Sequence, residues 1–352
     1  MRRFLRSAYW APGVLVLLVV SCGGDGAEVE TVIDDLSQPR GIAVGGSTIC
    51  VAEAGALEPD GPTRERPGQL EADTGRVLCV ADDGEADVLL DELPFVYYPD
   101  AAVTSGVADV LLDGDRSYAL VGESYGPLAR QVLSFDAEGR RTVADLLAFA
   151  ETSRAGDGAT LSNPYSFVLQ PDRSGFFVSD AATGTVLDVG LDGTVATFAP
   201  VPGHAVLTGM AWGPDGDLHV ASFGQLPHPL GSGAVVAIDD AGTSRVVVDE
   251  VTMAIDVAFD EAGGMLILEY ANPPDEPTGV DAYRDGTGRL LYLPSVPSDD
   301  SPTVLLDDLN RPTALAVNGD DVLISLASGV QAPGAGSLAR YSLVRLLGDA
   351  ER

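Results

Sequence analysis

Six acidic side chains fall at two recurring positions in this chain of 352 residues. Asp109 and Asp256 open apolar runs, whereas Glu53, Glu123, Asp180 and Glu269 close the runs that follow. Carboxylates brought together from separate segments raise one another's pKa by like-charge repulsion, or hold a hard cation such as Ca²⁺ through oxygen ligands. The same short acids also cap turns, accept backbone N–H bonds or pair with arginines such as Arg40 and Arg311. The residue types leave both uses open. Asn163 and Asn310, which precede Pro164 and, two residues on, Pro312 at blade starts, could lend amide oxygens to a cation, although Asn is also a common turn former. His204, His219 and His228 lie close in sequence, but their spacing favours packing or surface roles over a zinc site. His228, within Leu226-Pro227-His228-Pro229, sits on a stiff loop that could be a recognition tip. No GxSxG, HExxH, CxxC or phosphate-loop motif points to another reaction.

The elements that must position these acids recur six times. GIAVGGSTICVAEAG (41–55), DVLLDGDRSYALVGES (109–124) and SFVLQPDRSGFFVSDA (166–181) share one pattern with segments 209–223, 256–270 and 314–328. Each has a short apolar strand, a turn rich in Gly, Asp or Pro, and a second alternating strand, which is hairpin chemistry. Position one of the repeat holds Gly41, Asp109, Ser166, Gly209, Asp256 and Ala314. The second strand ends on Glu53, Glu123, Asp180, Ser222, Glu269 and Ser325, so the two columns stay 11 to 14 residues apart. Two further apolar runs follow most hairpins. Four strands per unit and six units predict an all-β, six-bladed β-propeller of four-stranded antiparallel blades, because stacking round an axis buries faces that one sheet cannot. Residues 143–155 carry apolar side chains at helical spacing and predict one short helix between blades two and three. The loops 56–74 and 271–286, rich in Pro and Asp, predict excursions on one face.

Stretches 161–172 (LSNPYSFVLQPD), 178–202, 207–238 (LTGMAWGPDGDLHVASFGQLPHPLGSGAVVAI) and 253–271, with the blade-one start QPRGIAVGGSTICVAEAG, resemble the ScyD/ScyE family of secreted propellers. The resemblance runs over about residues 32–345. It implies a propeller of the NHL and gluconolactonase-like class and export from the cytoplasm, with no established reaction. Two departures stand out. Asp180-Ala181-Ala182-Thr183-Gly184 replaces the family's Asp-Ala-Gly-Ala-Asn, and Ser222-Phe223 replaces Ser-Glu, so no catalytic residue is carried over. Lactonases of this architecture hold a Ca²⁺-type ion on Glu, Asp and Asn to polarise a carbonyl, which makes metal-dependent lactone hydrolysis the enzymatic alternative to a ligand- or partner-binding scaffold.

The N-terminus bears on location. Arg2, Arg3 and Arg6 precede an apolar run from Ala8 to Val20, too short for a stable bilayer anchor but suited to a secretory signal. It ends in Val19-Val20-Ser21-Cys22, which resembles a lipobox, so Cys22 is the expected lipidation site and the membrane anchor. The expected division is a lipoprotein signal over 1–21, a flexible tether over 22–31, the propeller over 32–347 and a tail over 348–352. Export would place Cys50 and Cys79 in an oxidising compartment. If their strands pair with the two cysteines opposite each other they lie within disulfide reach, and two buried thiols are the alternative. The chain has 20 basic residues, all arginine, against 53 acidic ones, for a net charge of −33. That charge opposes phosphate backbones and excludes nucleic acid as a partner. A monomer with a small-molecule or protein partner is expected.

Overall fold

Turns of Gly, Asp and Pro between alternating apolar runs drive the chain into successive antiparallel hairpins, and in the computed structural model these form six sheets. The structure describes residues 29–350, apart from 59–60, 62, 82–83, 102, 115, 154–161, 274–282, 299 and 328–332. The second blade runs outward through Val107–Asp113, Arg116–Val121, Gln131–Asp136 and Gly139–Asp145. The third follows with Pro164–Leu169, Gly175–Asp180, Thr185–Gly190 and Val195–Pro200. Blade four comprises Leu207–Trp212, Leu218–Ser222, Gly233–Ile238 and Ser244–Val251, and blade five Ala254–Phe259, Met265–Glu269, Gly288–Leu293 and Thr303–Leu309. The six-bladed, all-β architecture read from the hairpin repeat is the one the chain adopts.

Ring closure uses a strand whose partner is far away in sequence. Val29–Leu36 pairs antiparallel with Gly336–Ser342, outside Asp321–Leu326 and the innermost strand Pro312–Asn318, and completes blade six. The closing strand therefore begins three residues inside the stretch read as tether. Innermost strands pack side by side round the axis, and that of blade six meets Pro39–Gly45 of blade one. Buried apolar clusters fill the wedges between blades, for example Phe167, Phe176 and Leu120 between blades two and three. Hydroxyls tie the wedges together at the backbone. Thr313 Oγ1 donates to Pro39 O at 2.6 Å, Ser179 Oγ to Thr208 O at 2.6 Å, and Thr208 Oγ1 to Ala254 O at 2.9 Å.

Blade one is enlarged. Beyond Thr48–Glu53, the strands Gln69–Val80 and Ala86–Tyr98 run on past the sheet and pair with the short strands Arg64–Arg66 and Val103–Ser105, so part of the expected loop 56–74 is a β-extension. Cys50 and Cys79 face each other across Thr48–Glu53 and Gln69–Val80 with Cα atoms 4.0 Å apart, and they are disulfide-bonded. The expected helix is shorter than its apolar spacing indicated: residues 143–145 finish the outer strand of blade two, and the helix α1 is Leu146–Ser153. A second helix, α2 (Leu343–Ala350), takes in residues 348–350 of the expected tail and buries Leu343 and Leu346 against the blade-six cluster. Among the described residues no helix is long and apolar enough to cross a membrane, and the signal, lipobox and Cys22 lie outside the described residues.

Candidate functional site

The six residues at position one do meet. Gly41, Asp109, Ser166, Gly209, Asp256 and Ala314 all line one cavity of about 160 Å³ in the lower half of the central channel. Within it the two aspartates lie on opposite blades and bond in nearly the same way. Asp109 Oδ1 accepts Val110 N–H at 2.8 Å, and its Oδ2 accepts Ser166 Oγ–H at 2.8 Å and Phe167 N–H at 3.1 Å. Asp256 Oδ1 accepts Val257 N–H at 2.8 Å and its Oδ2 accepts Leu315 N–H at 2.8 Å, with Ala314 where blade three has Ser166. An innermost strand has no neighbour on its axial edge, so its N–H groups need other acceptors. Each aspartate supplies one for its own strand and one for the next blade.

These clips need room. A Cβ on Gly41 would lie 1.8 Å from Asp109 Oδ1, and one on Gly209 1.8 Å from Asp256 Oδ1, so only glycine fits at position one of the preceding blade. Burial penalises the charged form of both acids. It pushes Asp109 up to about 7 against its hydrogen bonds, and Asp256 up to about 8, with a smaller contribution from the like charge of Asp109.

The second column is built differently. Glu53 is fully buried, pairs with Arg76 directly across the sheet, and accepts Ser37 N–H on Oε1 at 2.5 Å. Glu269 repeats this in blade five, with Arg289 Nε at 2.6 Å and Thr252 N–H at 2.6 Å. Asp180 accepts Ser162 Oγ–H at 2.7 Å and the N–H groups of Asn163, Ala182 and Thr183. Each of the three holds the loop that enters its own blade. Glu123 alone of this column reaches the channel mouth, where its Oε1 takes Arg130 Nη2 at 3.1 Å and the Tyr98 hydroxyl at 3.1 Å.

The six acids therefore do not share one neighbourhood. Among the described residues no three His, Cys, Asp or Glu side chains form a group able to hold a metal, and the acid oxygens already accept N–H and O–H donors. This donor set does not fit a Ca²⁺ ion. Asn163 Oδ1 accepts Glu123 N–H at 3.4 Å, and Asn310 Oδ1 is buried. His219 is buried edge-on to Phe259, and burial holds its pKa below the usual value. His228, also held low by burial, packs edge-on to Phe223 at 4.9 Å.

A second cavity, of about 230 Å³, opens at the channel mouth. Residues immediately before position one reach it, among them Arg40, Ala108, Tyr165, Ile255 and Thr313. They sit one residue earlier along each innermost strand than position one, and Ala108, Tyr165 and Thr313 border both cavities. The Tyr165 hydroxyl donates to Thr313 O at 3.4 Å at this shared boundary. One wall is aromatic: Tyr270 and Tyr283 lie edge to face at 5.8 Å, and Phe223 packs on both. The opposite side carries Gln38, Arg40, Tyr98 and Glu123. Burial, reinforced by the Glu123 charge, holds the Tyr98 hydroxyl well above its ordinary pKa. The aromatic wall and Arg40 stand outside both acid columns. Their signal was adjacency, since Arg40 and Tyr165 precede position one while Phe223 and Tyr270 follow the second column.

No family model matches the sequence, and no curated protein matches it. Solved structures do match along nearly the whole chain. A PQQ-bound aldose sugar dehydrogenase from Streptomyces coelicolor is 15% identical with a TM-score of 0.57, over 91% of this chain and 99% of the other. A protein assigned as a gluconolactonase is 14% identical with a TM-score of 0.54, over 91% and 93%. Virginiamycin B lyase from Staphylococcus aureus is 12% identical with a TM-score of 0.51, over 90% and 100%. The neighbours include six-bladed propellers of the NHL and gluconolactonase-like class. At these identities the likeness is one of fold.

Proposed function

We propose that this chain is an exported propeller of the ScyD/ScyE kind, tethered to the outer face of the cell membrane through a lipid on Cys22, which binds a small molecule at its channel mouth without transforming it. The observation that carries the reading is the contrast between the six acids and the channel mouth. The acids that could have done chemistry are bonded to backbone, serine or arginine and hold blades and loops in place. The mouth instead presents a concave surface with an aromatic wall and a few polar groups, the usual make-up of a ligand pocket. Metal-dependent lactone hydrolysis, the alternative, gains no support from a donor set that lacks three clustered ligands among the described residues.

Saturation-transfer NMR with a panel of single-ring fragments and monosaccharides tests the binding reading. Val103 lines the cavity and is 40% exposed, so Val103→Trp shades the mouth without burdening the core. Binding to the wild type that disappears in the variant is the expected result. Hits that persist unchanged in the variant, or no hits at all, would overturn it. For the tether, Cys22→Ala should move the protein from the membrane to the soluble fraction, and unchanged fractionation would count against the anchor.

A further inference from the structure

The charge distribution round the mouth narrows the class of ligand, granted that the mouth is a binding site. In a chain with 53 acidic residues, arginines find carboxylates readily: Arg76, Arg130, Arg289, Arg311 and Arg340 all do so. Arg40 does not. Among the described residues no carboxylate lies within salt-bridge distance of its guanidinium, although the side chain is half-buried and lines the mouth cavity. It is nevertheless held in place, since Nη2 donates to both Thr104 O and Thr104 Oγ1 at 3.2 Å. The Tyr165 hydroxyl also takes a hydrogen bond from this guanidinium, but a guanidinium has five N–H donors, so the fork keeps donors for a planar acceptor.

Nearby acids do not neutralise it. Glu123, the one acid among the described residues lining the mouth, is engaged with Arg130 and Tyr98. Asp109 and Asp256 lie in the lower cavity, bonded to the backbone of neighbouring blades, and burial, which raises them to about 7 and about 8, lowers the negative charge they carry near neutral pH. Burying an unpaired cation costs free energy unless an anion joins it. The acidic exterior repels anions in general, so an anion that enters must be selected by local contacts.

Across the cavity, the edge-to-face set of Tyr270 with Tyr283, at an interplanar angle of 87°, and Phe223 with Tyr283, at 80°, offers a surface for a ring. The cavity, at about 230 Å³, falls below the roughly 300 Å³ at which drug-sized pockets begin, so it holds about one ring and a substituent. We infer that the ligand is a small planar monocarboxylate, its carboxylate bound by Arg40 and its ring against Phe223, Tyr270 and Tyr283.

Calorimetric titration of the full chain with benzoate, and with benzamide as its neutral isostere, tests this. Benzoate should bind about tenfold to hundredfold tighter than benzamide, the range of a hydrogen bond to a charged group. Arg40→Gln should abolish that preference while benzamide affinity stays the same, and Arg40→Lys should keep part of it. Arg245→Gln, a surface control paired with Asp215 and Asp217, should change neither. Equal binding of the two probes to the wild type, or undiminished benzoate preference in Arg40→Gln, would overturn the inference. If Arg40→Gln fails to fold, the wild-type comparison with Arg40→Lys decides. Benzamide bound as tightly as benzoate, and lost in Val103→Trp, would sink the anion assignment and leave the binding site standing. No binding of either probe would overturn the inference as well.

Discussion

Raising the pH from about 5 to about 8 should destabilise this propeller, and replacing Asp109 and Asp256 by asparagine should remove a defined part of that loss. In the unfolded chain both carboxyls ionise near 3.8, and in the fold they do so near 7 and 8. Between those values the native state keeps protons that the unfolded chain has released, so stability falls as pH rises. The contribution is fully present below about 3.8 and is lost through about pH 7 for Asp109 and about pH 8 for Asp256. With about 1.4 kcal/mol per pKa unit, each carboxyl contributes a loss of about 3 kcal/mol over that range. Set against a typical total of about 5–15 kcal/mol, the effect is large. Guanidinium denaturation at a series of pH values, followed by Trp212 fluorescence, measures it for the wild type, Asp109→Asn, Asp256→Asn and the double variant. General repulsion within the acidic chain is common to all four and cancels in the differences. The variants should lose stability less steeply with pH than the wild type, by about one proton per substitution. A wild-type-to-variant gap that stays constant across the range would refute the assignment of buried, protonated channel carboxyls.

Other perturbations separate structural acids from the mouth. Removing the Cys50–Cys79 disulfide by paired alanine substitution should cost about 3–4 kcal/mol for its separation of 29 residues, read from denaturation midpoints, and an unchanged midpoint would show that the strands need no staple. Glu269→Ala leaves Arg289 and Thr252 N–H without their acceptor and should cost about 2–3 kcal/mol in the same assay. Gly209→Ala drives a methyl into Asp256 and should destabilise by about 1–3 kcal/mol, whereas Gly348→Ala in α2, with nothing within 4 Å, should stabilise by up to about 1 kcal/mol. Equal thermal shifts for the two glycine variants would contradict the account of the channel clips.

The blades were legible because each is a local event: a turn, two alternating strands and a fixed spacing recur whatever the rest of the chain does. Position one converged on the axis for the same reason, since the innermost strands are the elements nearest it. Closure was less legible. Val29–Leu36 alternates weakly and carries Glu30, Asp34 and Asp35, and its partner Gly336–Ser342 is some 300 residues away, so no local pattern marks it as a strand of blade six. The second-column acids misled through their similarity. Glu53, Asp180 and Glu269 end second strands as Glu123 does, but they turn back to loops entering their own blades, and that choice depends on Arg76, Ser162 and Arg289 in other segments. Arg40 was visible only as one candidate ion-pair partner. That no carboxylate among the described residues reaches it is a property of the assembled mouth.

A crystallographic fragment soak of the full chain tests most directly whether the channel mouth is the binding site. Ring fragments should appear between Arg40 and the Phe223, Tyr270 and Tyr283 wall. Fragments gathered in the lower channel beside Asp109 and Asp256, or on the outer blades with the mouth left vacant, would contradict it.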